Sequence, residues 1–111
     1  MAILITGSSG LLGKKVFEKL KYKKYSVFGI SKSKQKFKSK DLIYIDLNKD
    51  WSLRLLPKNI DTIIHLAQSN NYKNFPIKSA DIFNVNVVST AKLLDFDYKN
   101  KVKKFIYASS G

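Results

Sequence analysis

The chain opens on an unbroken apolar run over residues 2–6 (AILIT), and from Leu11 onward the apolar positions change their period. A continuous run of that length suits a strand covered on both faces. Leu12, Val16 and Leu20 then fall in one row with Phe17 beside it. That spacing predicts an amphipathic helix over 11–22, with Lys14, Lys15, Lys19 and Lys21 turned mainly outward. Further short apolar runs predict strands at 26–30 (SVFGI), 42–45 (LIYI), 61–66 (DTIIHL) and 104–108 (KFIYA). Between them, WSLRLL at 51–56 reads as a short helix or turn stopped by Pro57, and residues 80–98 as a helix with Val87, Ala91 and Leu94 in its core. The polar stretches at 31–40 (SKSKQKFKSK) and 68–79 (QSNNYKNFPIKS) read as loops. Strand and helix in alternation is the pattern of an α/β parallel sheet with crossover helices.

Size and composition narrow this picture. A chain of 111 residues has room for one core, burying roughly 65% of its unfolded surface. No repeat or linker divides it, so residues 1–111 are expected to form one domain. Hydrophobic residues at 44%, with seven Phe, six Tyr and one Trp, exclude a long disordered chain. The absence of cysteine excludes a disulfide framework and a thiolate metal site, and a single histidine, His65, excludes a histidine cluster. The first apolar run is too short for a signal or membrane span, which makes the cytoplasm the default expectation. The formal charge is +13, and residues 14–40 hold eleven Lys against one acid, Glu18. A basic nucleic-acid-binding protein is one reading of that charge. Twenty Lys against a single Arg, Arg54, favour solvated surface charge instead, because phosphate and base-edge recognition favours the planar Arg fork. The sequence offers no base-stacking platform either.

The chemistry-bearing segment is TGSSGLLG, where Gly7, Gly10 and Gly13 recur every third residue as the first strand gives way to the helix. In that setting the first glycine permits a sharp turn, the second a close approach of backbone to a pyrophosphate, and the third tight packing of helix on sheet. The helix mouth at Leu11 and Leu12 adds free N–H groups and a positive dipole end. A phosphate-binding P-loop does not fit, because it needs four residues between its glycines and a Ser or Thr after the Lys. Here five residues separate Gly7 from Gly13, and Lys15 follows Lys14. Taken alone, the triplet also admits a glycine-rich turn that binds nothing. Other positions have equally plain readings: His65 as a packed strand-end residue, Asp46 as a turn cap, and Asn86 as a hydrogen-bonding brace within its helix.

Several ordered segments together carry a resemblance. TGSSGLLG resembles the TGxxGxxG motif of the extended short-chain dehydrogenase/reductase family, the NAD-dependent epimerase/dehydratase group that acts largely on nucleotide sugars. IDL at 45–47 is similar to its adenine-contacting segment, IIHLAQ at 63–68 to its HLAA segment, NVNVVSTAKLLD at 84–95 to its N-V-x-G-T-x-x-L-L helix, and FIYASS at 105–110 to the strand that delivers a catalytic Ser or Thr. The resemblance implies a Rossmann-type doubly wound parallel sheet in the order 3-2-1-4-5. It places Gly7, Gly10, Leu11, Leu12 and Gly13 at the pyrophosphate, Asp46 and Leu47 at the adenine, and Leu66, Ala67 and Gln68 along the dinucleotide, with Ser110 in the catalytic position.

An NAD site usually carries an acid roughly 20 residues past its glycines. Residues 31–40 contain none, while Ser31 and Lys32, or Lys34, would attract a 2′-phosphate. A preference for NADP over NAD is therefore expected. The family's catalytic Tyr-x-x-x-Lys is missing, since none of the six tyrosines has Lys four places on. The resemblance thus covers about the first third of such an enzyme, truncated after the fifth strand and lacking the part that binds the sugar nucleotide. Such a chain should be inactive alone and marginally folded, and should self-associate through its exposed last strand. A non-catalytic NAD(P)-binding sensor or regulatory module is the alternative to a partial enzyme.

Overall fold

A computed structural model describes residues 2–8, 10–31, 41–67 and 76–108. The elements are β1 (Ala2–Thr6), α1 (Leu11–Tyr22), β2 (Val27–Ser31), β3 (Leu42–Tyr44), a 3-10 turn (Leu53–Leu55), β4 (Ile60–His65), α2 (Ser79–Phe83), a π-helical segment (Asn84–Val88), α3 (Ser89–Asn100) and β5 (Lys104–Tyr107). The bounds of β1 and α1 are those the apolar pattern predicts; the other strand bounds move by one residue. The 3-10 turn is nucleated by Ser52, whose hydroxyl accepts from Arg54 N.

All five strands are parallel and lie in the order β3-β2-β1-β4-β5, the doubly wound arrangement. Right-handed crossovers in that order put the β1–β2 and β4–β5 helices on opposite faces. Ile3, Ile5, Val27 and Gly29 share the α1 face by register. Leu4, Ile30 and Ile63 face the other way, into a core completed by Ile45, Leu47, Trp51, Val85, Leu93 and Phe96.

Two expected helix faces are corrected here. On α1, Leu12 is exposed; the side toward the sheet carries buried Gly13 and half-buried Val16, Phe17 and Leu20. The helix closes so tightly on the turn beneath it that only glycine fits at its inner N-terminal position. On the second helical stretch, Val87, Ala91 and Leu94 are exposed, and the core row is Val85, Ser89, Leu93 and Phe96 on nearly the opposite side. Ser89 breaks that row as an apolar pattern, but its hydroxyl donates to Leu47 O at 2.9 Å and accepts from Trp51 Nε1 at 3.2 Å. A hydroxyl with both partners supplied can be buried at little cost.

β5 is the edge of the sheet, and Ile106 and Tyr107 on it are exposed. These are the groups through which the sequence reading expects copies to associate. No described helix is long and apolar enough to cross a membrane.

Candidate functional site

In a doubly wound sheet the crevice for a ligand lies beyond the carboxyl ends of the strands, where the strand order reverses. In this chain that point falls between β1 and β4. The residues that leave those strands, Gly7 and Ala67, are in close backbone contact: a Cβ at Gly7 would lie 2.9 Å from Ala67 N, and Gly7 has φ +68°. Both constraints demand glycine.

Gly13 is demanded more strongly still, since a Cβ there would stand 1.9 Å from Gly7 O. Its absence lets α1 sit directly on the turn. Gly10 is different. It is exposed, its φ of −73° is open to any residue, and among the described residues a Cβ would have a single neighbour within 4 Å, Gly7 O at 3.3 Å. Backbone conformation does not account for a glycine there, and a methyl group would ask Gly7 O to give by only a few tenths of an ångström.

Gly10 is also the N-cap of α1 and supplies no side chain to cap it; its N–H donates to Gly7 O at 3.1 Å and its carbonyl accepts from Lys14 N at 2.8 Å. The first-turn amides at Leu11 and Leu12 precede any intrahelical acceptor. No acid occupies that turn, so the positive end of the helix is not neutralised locally.

The remaining walls of the crevice come from neighbouring strand ends. Ser31 closes β2 and is buried, with its carbonyl accepting from Ile45 N at 3.0 Å. Asp46 follows β3, and its Oδ1 accepts from Asn48 N at 3.0 Å, so the plain reading as a turn cap holds. Leu47 is buried and braced through its carbonyl by Ser89. Lys92 adds a second brace, lying 4.8 Å above the Trp51 ring and donating to Trp51 O.

His65 ends β4 fully buried, as its plain reading expected. Its Nδ1 lies 2.6 Å from Thr6 Oγ1 and its Nε2 2.7 Å from Thr90 Oγ1. Burial pushes its pKa down to about 4. Thr6 Oγ1 also accepts from Leu66 N at 3.0 Å and Ala67 N at 3.1 Å. These two amides are therefore committed within the protein. Any contact Leu66 and Ala67 make with a ligand must use other atoms.

Lys32, Lys34, Gln68 and Ser110 lie outside the described residues. Sequence reasoning missed Ser8, Gly29, Ser89 and Thr90. Ser8 is buried under the turn, its hydroxyl donating to Ile30 O at 3.1 Å, and Gly29 makes room for it, since a Cβ there would fall 2.6 Å from Ser8 Oγ. A glycine inside an apolar strand was the one available signal.

A parallel doubly wound sheet with a glycine turn at its switch point and an uncapped helix mouth above it defines a Rossmann-type fold. The chain belongs to the NAD dependent epimerase/dehydratase family, whose model matches residues 3–111. Among curated proteins it is 29% identical to "Putative UDP-glucose 4-epimerase" of Methanocaldococcus jannaschii, over 98% of this chain and 38% of that one. Among solved structures it superposes on a short-chain dehydrogenase/reductase superfamily protein from Agrobacterium tumefaciens with bound NAD, at TM-score 0.84 and 26% identity, covering 100% of this chain and 33% of that one. It superposes also on MoeE5 in complex with UDP-glucose and NAD, at TM-score 0.80 and 26% identity, covering 100% and 37%. The chain thus spans about a third of the length of these relatives.

Proposed function

We propose that the chain binds a nicotinamide dinucleotide across the carboxyl ends of β1 and β4, as the dinucleotide-binding part of a sugar-nucleotide epimerase, dehydratase or reductase. Gly10 carries this reading. Its backbone conformation does not require glycine, and it stands exposed at a helix mouth with no side-chain cap and no acid in its first turn, whose amides suit a pyrophosphate. Gly7 and Gly13 hold that mouth in place, Leu11 and Leu12 present their amides, Asp46 and Leu47 border the adenine, and the Leu66–Ala67 turn borders the centre of the ligand. NAD bound by the two structural relatives, and UDP-glucose bound by one of them, support the same assignment. Bound nicotinamide would supply hydride transfer.

The chain's own residues hold and orient the dinucleotide. With no Tyr followed four places on by Lys, they do not provide the proton-transfer pair of the family, so the chain does not turn over a sugar nucleotide by itself. That absence equally fits a binding module that senses the dinucleotide without reacting. Ser31 and Lys32, in a stretch without an acid, favour NADP over NAD.

Fluorescence titration with NADPH and NADH tests the reading. Binding of both is expected, with NADPH tighter. Gly10→Ala should weaken binding at least tenfold, about 1.4 kcal/mol, while the chain still melts cooperatively. Equal or tighter binding of NADH would remove the NADP preference. A chain that binds neither cofactor would remove the function.

A further inference from the structure

The hydrogen bonds around His65 leave its imidazole a single arrangement of protons. Thr6 Oγ1 accepts from both Leu66 N and Ala67 N, which uses both of its lone pairs, so its hydroxyl proton is left to donate to His65 Nδ1. On the other side Thr90 Oγ1 donates to Asn86 O at 2.8 Å, a carbonyl that can only accept, so Thr90 must accept from His65 Nε2. The ring is therefore neutral, with its proton on Nε2.

The ring is also held in plane. Tyr107 stacks on it at 5.4 Å between centroids, and Phe105 meets it edge-on at 6.2 Å. The hydrogen-bond chain runs from the Leu66 and Ala67 amides, which abut Gly7, through Thr6, His65 and Thr90 to Asn86 O.

We infer that His65 is a positioning residue locked as the Nε2–H tautomer, through which Thr90 on α3 fixes the Leu66–Ala67 backbone against Gly7. The inference rests on the dinucleotide reading for its functional meaning: the hydrogen-bond chain is what holds the middle of that site in register. The Nδ1–H tautomer would aim two protons at each other on the Thr6 side and leave Nε2 without a donor on the Thr90 side. Thr6 would have to rotate away, and the turn would lose its anchor.

His65 is the only histidine, so its imidazole nitrogens can be read without assignment in a long-range proton–nitrogen NMR spectrum of histidine-labelled chain. At pH 7 the wild type should show a protonated Nε2 and a pyridine-like Nδ1, and slow amide exchange at Leu66 and Ala67. In Thr90→Val the nitrogen shifts should move toward a tautomer mixture. Exchange at Leu66 and Ala67 should speed up at least tenfold while the β1 amides stay protected, and NADPH affinity should fall about three- to tenfold. Thr90→Ser should restore all three readouts.

A wild-type spectrum with the proton on Nδ1 overturns the inference even if the variant does not fold. Unchanged exchange at Leu66 and Ala67 in Thr90→Val overturns it as well. If the wild type shows the lock but binds no dinucleotide, the proposed function falls while the positioning role stands.

Discussion

At the crest where β1 and β4 end, polar and small residues are packed as tightly as any core. Thr6, Ser8 and His65 are buried there, each with a partner at hydrogen-bond distance, and two glycines are demanded by backbone a few ångströms away. On the flank formed by β5 and the outer sides of the π-helical segment and α3, the reverse holds. Val87, Leu94, Tyr98, Ile106 and Tyr107 are large and apolar, yet exposed. The two regions share one sheet, and Tyr107 touches both, stacking on His65 from the edge strand. Hydropathy alone would rank them the wrong way round. What decides burial is whether the fold brings a partner to the side chain, and at the crest it does so for hydroxyls and an imidazole.

Substitutions that fill or empty the two regions should separate them widely. Gly13→Ala places a methyl group far inside van der Waals contact with Gly7 O, so it should abolish cooperative melting followed by circular dichroism, a loss of more than about 4 kcal/mol. A preserved sharp melt would mean that α1 can back away from its turn. Leu93→Ala, at a fully buried position beside Ser89 in the core row, should cost about 2–5 kcal/mol in urea unfolding.

Acid should act through the crest as well. The folded pKa of His65 is lowered from 6.5 to about 4, so the unfolded chain takes up the proton first. Its contribution to stability is complete above the unfolded value and is lost as pH falls from about 6.5 toward about 4, on the order of 3 kcal/mol. Urea midpoints measured across that window should fall accordingly, and a flat profile would contradict the buried neutral imidazole. The smallest effect belongs to the flank: Leu94→Ala, one residue from Leu93 but 47% exposed, should change stability by less than about 0.5 kcal/mol. A loss near that of Leu93→Ala would show that the flank is covered in solution.

Much of the molecule was legible before its structure. The bounds of β1 and α1 and the glycine turn follow from a continuous apolar run, a change of period and three glycines, all read within a span of about twenty residues, whereas the strand order was implied by the family resemblance. The role of Asp46 as a turn cap was legible for the same reason, because its partner, Asn48 N, is two residues away. The apolar row of the second helix was not. Two apolar stripes run along it on nearly opposite sides, and the one interrupted by Ser89 is the one the sheet covers.

The sequence by itself therefore determined the elements and the place of the glycine turn, since steric limits and side-chain period act between near neighbours along the chain. Tertiary structure alone decided which helix stripe is core, why Gly29 must lack a side chain and which nitrogen of His65 holds the proton. Those outcomes depend on Leu47, Trp51, Ser8, Thr6 and Thr90, brought from distant segments to within hydrogen-bonding or contact distance. A buried polar group is stable only once such a partner has arrived.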